Sequence, residues 1–338
     1  FHRAHQALAI DKLLSDGFAN EWGICGVGIL QFDAKMRDIM REQNCLYTLA
    51  EKKANGEQNL RVIGSIVDYL YAPDNVELVI ERIATEAKIV SLTITEGGYN
   101  TDPATGNFDL NVVKEDIENP KQSRSVFGIV IEALRRRKER GLGGFTVMSC
   151  DNLQENGVIA KKSFVSFAKA VDQSLAEWIL KNVTFPNSMV DRITPVTSIE
   201  DQKKVTKRLG INDAWPVVCE PFIQWVLEDK FVAGRPPFEK SLVQLVPDVA
   251  PYELMKLRLI NAGHQAIAYF GLLMGYVFVH DVTQDKRVVE FLKAYMDREA
   301  TSTLKPLAGI DIEKYKETIV ERFQNPHVHD TLARLAGK

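Results

Sequence analysis

The chain has 338 residues, 42 Lys+Arg against 45 Asp+Glu for a formal net charge of −3, and a hydrophobic fraction of 45%. At roughly 150 residues per domain the length favours two domains. The apolar content excludes a disordered chain, and the near-neutral charge argues against a dedicated nucleic-acid binder.

Taken in chain order, the sequence opens Phe1-His2-Arg3-Ala4-His5-Gln6 with no Met and no apolar signal segment behind a basic start. A helical pattern follows at Ala4, Leu8, Ile10, Leu13 and Leu14, and then an apolar run from Trp22 to Leu30 reads as a strand. A helix directly before a strand implies a first strand upstream of residue 1. Phe1, His2 and Arg3 would then sit where a phosphate loop turns into a helix, with backbone N–H groups and the Arg3 cation facing an anion. The glycines Gly23, Gly26 and Gly28 fall within the strand rather than in a loop leading to a helix, so they do not make a dinucleotide fingerprint. Asp33 lies just past that strand, where an acidic residue often holds the adenosine ribose.

Helical spacing over Asn75 to Ala84 leads into a strand from Lys88 to Thr95. A second helix, Val126 to Arg140, leads into a strand from Phe145 to Cys150. The cluster Arg135-Arg136-Arg137-Lys138 reads as the cationic last turn of that helix, stopped by Gly141. Gly141 to Gly144 is a turn. Strands separated by helices argue for βαβ units and a mostly parallel sheet, with ligands bound beyond the carboxyl ends of the strands. The informative loops are therefore Glu96-Gly97-Gly98-Tyr99, Asp151-Asn152, and the stretch around Asn187 to Asp191, with Thr95, Glu96 and Gly97 as the candidate cofactor contacts. Prolines at 236, 237, 247 and 251 mark a boundary, and helical periodicity dominates beyond it. The expected organisation is an α/β domain over 1–247 and an α-helical domain over 248–338. Helices are expected from Pro251 through His264, over Lys286 to Asp297, and over Ile312 to Phe323. The apolar run Ala266 to Val279 is too short to span a membrane and reads as a buried helix together with the segment just after it.

Cys25, Cys45, Cys150 and Cys219 are too scattered for a disulfide framework or a cysteine zinc site, and they suit a reducing, cytoplasmic compartment. His327-Val328-His329 reads as loop; no HExxH, GxSxG or Walker motif is present. No metal is expected. The densest chemistry follows Pro251. At about 100° per residue, with Lys256 at zero, Glu253 and His264 fall near +60° and +80° and Asn261 near +140°. These four polar residues would share one helix face beside apolar Leu257, Leu259, Ile260, Ala266 and Ile267. Asn152, at a strand end, could supply a second amide or simply start the next helix with an Asx turn.

At this helix the sequence resembles the polyol-specific long-chain dehydrogenases, in particular their mannitol branch. The matching stretches are FHRAHQ (1–6), TITEGGY (93–99), FTVMSCDNLQENG (145–157), FPNSMVDRITP (185–195), WPVVCEPFIQWVLEDKF (215–231) and K-x4-N-x2-H (256–264), in family order along essentially the whole chain. The resemblance implies a Rossmann-type N-terminal domain, a mostly α-helical C-terminal domain and an active site between them. It implies NAD as cofactor and metal-free interconversion of D-mannitol and D-fructose. It makes Lys256 the general base, Asn152 and Asn261 donors to the reacting oxygen, and His264 and Asp191 holders of substrate hydroxyls. Arg334 falls where the family places a further substrate contact. Apart from the resemblance, Glu253, one turn before Lys256, would relay the proton to solvent or tune the lysine. The family's glycine-rich loop would precede Phe1, and its helical sequence would continue beyond Lys338. A hexuronate reductase, an arabinitol or sorbitol dehydrogenase, or a non-catalytic nucleotide- or sugar-binding protein are the competing expectations. The partner is a small-molecule polyol or ketose, with no nucleic acid or membrane. The sequence carries no oligomeric signal, and a monomer remains open.

Overall fold

The computed structural model describes residues 1–102, 105–307 and 309–337; Lys338, the last residue of the expected helical domain, lies outside them. In chain order the strands are β1 Ile24–Gly28, β2 Tyr47–Lys52, β3 Gln58–Ile63, β4 Ile66–Tyr71, β5 Ile89–Leu92, β6 Thr146–Ser149, β7 Ser188–Asp191, β8 Val217–Cys219, β9 Gln224–Glu228 and β10 Val243–Val246. The chain divides into two compact units. One comprises Phe1–Tyr47, Val62–Val190 and Gln224–Pro247; the other comprises Thr48–Arg61, Asp191–Ile223 and Asp248–Lys338. The expected break at 247 is thus one of several crossings. The second unit also takes in a hairpin and a segment from the middle of the chain.

The first unit is built from parallel strand pairs separated by helices. β1 pairs with β4, β5 with β6, and β9 with β10, all parallel; β7 completes the order β10-β9-β7. Parallel neighbours need a crossover, and helices supply it. Val76–Glu86 is started by the Asn75 side chain, which accepts from the Leu78 N–H. Val126–Glu139 is started by Ser125, which accepts from Gly128. The second helix buries Phe127, Val130, Ile131 and Leu134 with Val147 and Phe164 in one apolar cluster. Its basic end is consumed internally. Arg136 binds Glu77, Glu81 and Glu132, Arg140 binds Glu81, and Arg137 donates to the Gly143 and Ala84 carbonyls. The β1 glycines serve close packing. A Cβ at Gly26 would lie 2.6 Å from the Tyr69 ring, and one at Gly28 2.6 Å from Asp33 Cβ.

The second unit is mostly helical with a small sheet, order β3-β2-β8, in which β2 and β8 are parallel. The helix Ile199–Leu209 starts in a Ser198/Asp201 capping box and ends at Gly210 with φ +68°. This is a sequence-readable start and stop. Further along come Ala250–Lys256, a π turn Leu257–Asn261, and Ala262–Leu273. Lys286–Tyr295 runs into a second π turn, Met296–Ala300, and Ile312–Phe323 follows. Their inner faces form one cluster that includes Met255, Leu259, Ile267, Leu292, Met296, Ile319 and Phe323.

Two sequence expectations need correction here. The helix from Pro251 through His264 is not a continuous α-helix, because a wide turn of five residues interrupts it. The run Ala266 to Val279 is not buried throughout. Ile267, Ala268 and Gly271 face the cluster, but Tyr269, Phe270, Leu273 and Val277 are exposed, Leu273 at 86%. High apolar content had hidden an ordinary one-sided helix. Among the described residues no helix is long and apolar enough to cross a membrane.

Candidate active site

In the first unit, the residues expected to meet a cofactor gather at or near the carboxyl ends of β1 and β5. Asp33 follows β1, and its Oδ2 accepts the Ile29 and Leu30 N–H groups at 3.0 and 2.9 Å. The loop is thereby folded around the carboxylate. Thr95, Glu96 and Gly97 follow β5 and are exposed. Thr95 has φ +64°, a strained value for a β-branched residue, and the cause is visible next door. The Asp151 carboxylate, just past β6, accepts from the Ile94 and Thr95 N–H groups at 3.1 and 2.8 Å and from the Tyr99 hydroxyl at 2.7 Å. Burial pushes the Asp151 carboxyl up, and these three donors offset that only in part. Asn152 follows directly, at the surface.

The segment Phe1 to Arg3 docks on the same strand. Both His2 ring nitrogens are engaged, Nε2 with Ser91 Oγ and Nδ1 with Thr93 Oγ1, each at 2.9 Å. His2 therefore fastens the segment to β5 through its ring, which leaves its backbone for any anion contact. Phe1 is exposed and stacks on His5 at 4.9 Å, and the Arg3 guanidinium lies 5.1 Å over the Tyr47 ring.

In the second unit, four of the expected residues are buried: Asp191, Glu253, Lys256 and His264. Asn261 is half-buried. Asp191 has the best-defined surroundings among them. Its carboxylate takes two bonds from Arg322, at 2.8 and 3.0 Å. The same guanidinium gives two more to Glu220, at 2.9 and 2.8 Å, and lies 3.9 Å over the Phe222 ring. Burial pushes Asp191 up, but the Arg322 cation outweighs it, with Lys256 and His264 adding in the same sense, so the carboxyl sits below its usual value. Glu220 goes the other way: burial raises it, Arg322 only partly compensates, and the Asp191 charge raises it further. One guanidinium cannot fully neutralise two carboxylates in a low-dielectric site. The His264 ring stacks on Phe323 at 3.8 Å. The buried Tyr315 hydroxyl has no hydrogen-bond partner among the described residues, and the Asp191 charge adds to the burial that raises it.

Arg334 is placed differently. Its guanidinium forms a two-bond pair with Asp330 at 2.8 and 2.6 Å, and its side chain is 52% exposed. Arg322 is a buried cation that the sequence reading did not single out; nor did it single out Glu220, Tyr315 or the clamping role of Asp151. A signal for Arg322 existed. It stands with Tyr315, Ile319 and Phe323 on the apolar stripe of Ile312–Phe323, where an arginine requires a buried partner. Among the described residues no group of three or more His, Cys, Asp or Glu side chains is arranged to hold a metal ion.

With this geometry in view, comparison with known proteins is direct. The family model "Mannitol dehydrogenase Rossmann domain" matches residues 1–240, and "Mannitol dehydrogenase C-terminal domain" matches residues 248–338. The chain belongs to the mannitol dehydrogenase family. It is 46% identical over 339 residues to mannitol dehydrogenase 2 of Saccharomyces cerevisiae, covering 99% of this chain and 67% of that protein. It is 46% identical over 342 residues to the polyol:NADP oxidoreductase of Gluconobacter oxydans, covering 100% of this chain and 70% of that protein. The solved structure of Pseudomonas fluorescens mannitol 2-dehydrogenase, a ternary complex with NAD and D-mannitol, superimposes with a TM-score of 0.94 at 47% identity, covering 99% of this chain and 69% of that one. The chain therefore spans about two thirds of the length of these relatives. The architecture is the family's, a Rossmann-type domain followed by a mostly helical one.

Proposed function

We propose that the protein transfers hydride between a polyol and NAD, with D-mannitol and D-fructose as the substrate pair. The observation that carries this reading is the buried set of the second unit: Lys256, His264, and an Asp191 carboxylate held by two bonds from Arg322. A polyol needs such a set: an amine that can take a hydroxyl proton, an imidazole, and a fixed carboxylate acceptor.

NAD fits the first unit on the chemistry of its donors. Asp33 presents a carboxylate ordered by two backbone amides past β1, suited to a ribose diol. The strained Thr95-Glu96-Gly97 loop and the Phe1–Arg3 segment lie past and beside β5. Phe1, His2 and Arg3 would meet the phosphates, Asp33 the adenosine ribose, and Thr95, Glu96 and Gly97 the remainder. When bound, NAD supplies the hydride acceptor.

The chain's own residues would do the rest. Lys256, as the neutral amine, takes the proton from the reacting hydroxyl. An unperturbed lysine, with pKa near 10.4, is a weak base at neutral pH, so the reading requires the buried Lys256 to give up its proton before it can take the substrate's. Asn152 and Asn261 donate N–H groups to the developing alkoxide. Losing one such donor costs roughly 3–4 kcal/mol. Asp191 and His264 hold the other substrate hydroxyls, Arg334 supplies a further substrate contact, and Glu253, one turn before Lys256, passes the proton on or tunes the lysine.

The deciding experiment is oxidation of NADH by the full-length protein with D-fructose, D-fructuronate and other ketoses. Fructose turnover is expected to dominate, and Lys256→Ala should abolish it while NADH still binds. Preference for fructuronate would move the substrate to the hexuronates. Preference for NADPH, the cofactor class in the Gluconobacter relative's name, would overturn the NAD assignment. Near-normal kcat in Lys256→Ala would remove the base, and no turnover with any ketose would favour a binding protein.

A further inference from the structure

The segment that carries Lys256, Asn261 and His264 owes its geometry to the π turn between the first two. In a regular α-helix five residues rotate a side chain by about 500°, leaving Asn261 some 140° away from Lys256. A turn closed by i→i+5 bonds takes in an extra residue. Five residues then complete about one revolution, which brings Asn261 back towards the direction of Lys256. The turn is explicit in the backbone. The Ala262 N–H reaches the carbonyls of Leu257 and Leu259, and not that of Arg258, its partner in a regular helix.

The Arg258 carbonyl has another donor. The hydroxyl of Tyr295 reaches it at 2.7 Å, from the last residue of Lys286–Tyr295. The Arg258 side chain is tied as well, donating to the Thr303 carbonyl at 2.7 Å. Tyr295 is itself the residue at which its own helix widens into the second π turn, Met296–Ala300, whose Met296 carbonyl accepts from the Thr301 hydroxyl at 2.7 Å. A hydroxyl from a neighbouring helix thus occupies the carbonyl that a regular helix would pair with the Ala262 N–H.

We propose that Tyr295 is a positioning residue, its hydroxyl fixing the π turn at Leu257–Asn261 so that the Asn261 amide stands with Lys256 at the reacting oxygen. This deepens the function proposed above and rests on the role given there to Asn261. Without the phenol oxygen, the Arg258 carbonyl regains a reason to accept the Ala262 N–H. The segment can then relax towards a regular helix, which turns Asn261 away.

The test is a mutant cycle in the full-length protein, with Tyr295→Phe, Asn261→Ala and the double variant assayed for D-mannitol oxidation at saturating NAD, alongside their thermal midpoints. Tyr295→Phe is expected to lower kcat about tenfold with little change in KM, as a displaced donor would. Asn261→Ala is expected to lower kcat about a hundredfold, and adding Tyr295→Phe to it should cost nothing further. If Tyr295→Phe leaves kcat unchanged while Asn261→Ala is impaired, the positioning role is wrong. It is equally wrong if the Tyr295→Phe loss persists in full on the Asn261→Ala background, which would mark a general structural effect. If Asn261→Ala itself retains normal kcat, the amide has no part in catalysis, and the underlying reading of Asn261 falls first.

Discussion

Four hydrogen bonds leave Arg322, two to Asp191 and two to Glu220, and its face is closed by Phe222. A guanidinium so enclosed is a structural cation, and removing it strands two buried carboxylates. Arg322→Met should therefore lose about 3–5 kcal/mol of stability, read by denaturant unfolding at pH 7. Glu220→Gln should cost less, because burial and the Asp191 charge already weigh against its ionised form. Asp191 behaves oppositely. Its folded pKa is depressed, so it stabilises the fold above the unfolded value of roughly 3.9, and the contribution fades as pH falls through the lower folded value. The stability gap between wild type and Asp191→Asn should accordingly be full at pH 7 and shrink below about pH 4. A gap that stayed constant down to about pH 3 would mean that Asp191 is not held ionised.

Elements show what could be read in advance and what could not. Strands β1, β5 and β6 and the helices after Asn75 and Ser125 were legible because local devices fix them: apolar runs, side-chain caps and a basic last turn before Gly141. The π turn was not legible. Hydrophobic spacing around Leu257, Leu259 and Ile260 fits a regular helix equally well, and the extra residue is stabilised by Tyr295, 37 positions away. Asp151 was hidden for a similar reason. Its place in Cys150-Asp151-Asn152 suggests a turn, whereas its carboxylate acts on Ile94, Thr95 and Tyr99, contributed by a different strand and its loop. Thr95, whose N–H that carboxylate accepts, is the loop residue at positive φ. Asp151→Asn puts a donor where two N–H groups need acceptors, and should loosen the loop. NADH affinity should drop about tenfold, the effect of losing a charge-assisted bond worth ~1.5 kcal/mol, as measured by quenching or transfer of NADH fluorescence. Unchanged affinity would place the Thr95-Glu96-Gly97 loop away from the cofactor.

At the scale of the whole molecule, the expected cofactor contacts and most of the expected substrate-handling residues fall in two different compact units that the chain visits alternately. The expected cofactor residues, with Asp151 and Asn152, belong to the first unit; Asp191, Glu253, Lys256, Asn261, His264 and Arg322 belong to the second. The sequence placed a boundary near Pro247 because the helical periodicity begins there. It could not show that residues 48–61 and 191–223 join the helical unit, since that depends on contacts such as Arg322 with Asp191 and Glu220 across 131 and 102 positions. Asp191 thus works with a helix far along the chain, although its strand β7 is otherwise part of the first unit. This sorting predicts a crossed pattern of defects. Asp191→Asn should raise KM for D-mannitol by about tenfold or more, the scale of one lost charged hydrogen bond, and leave the dissociation constant of the binary NADH complex unchanged. Asp151→Asn should weaken the binary complex and leave KM for D-mannitol near normal when measured at saturating NAD. Binary-complex titrations separate cofactor from substrate effects without relying on turnover. If Asp191→Asn weakened NADH binding as much as Asp151→Asn does, the division of labour between the units would be wrong, and Asp191 would have to be counted with the cofactor site.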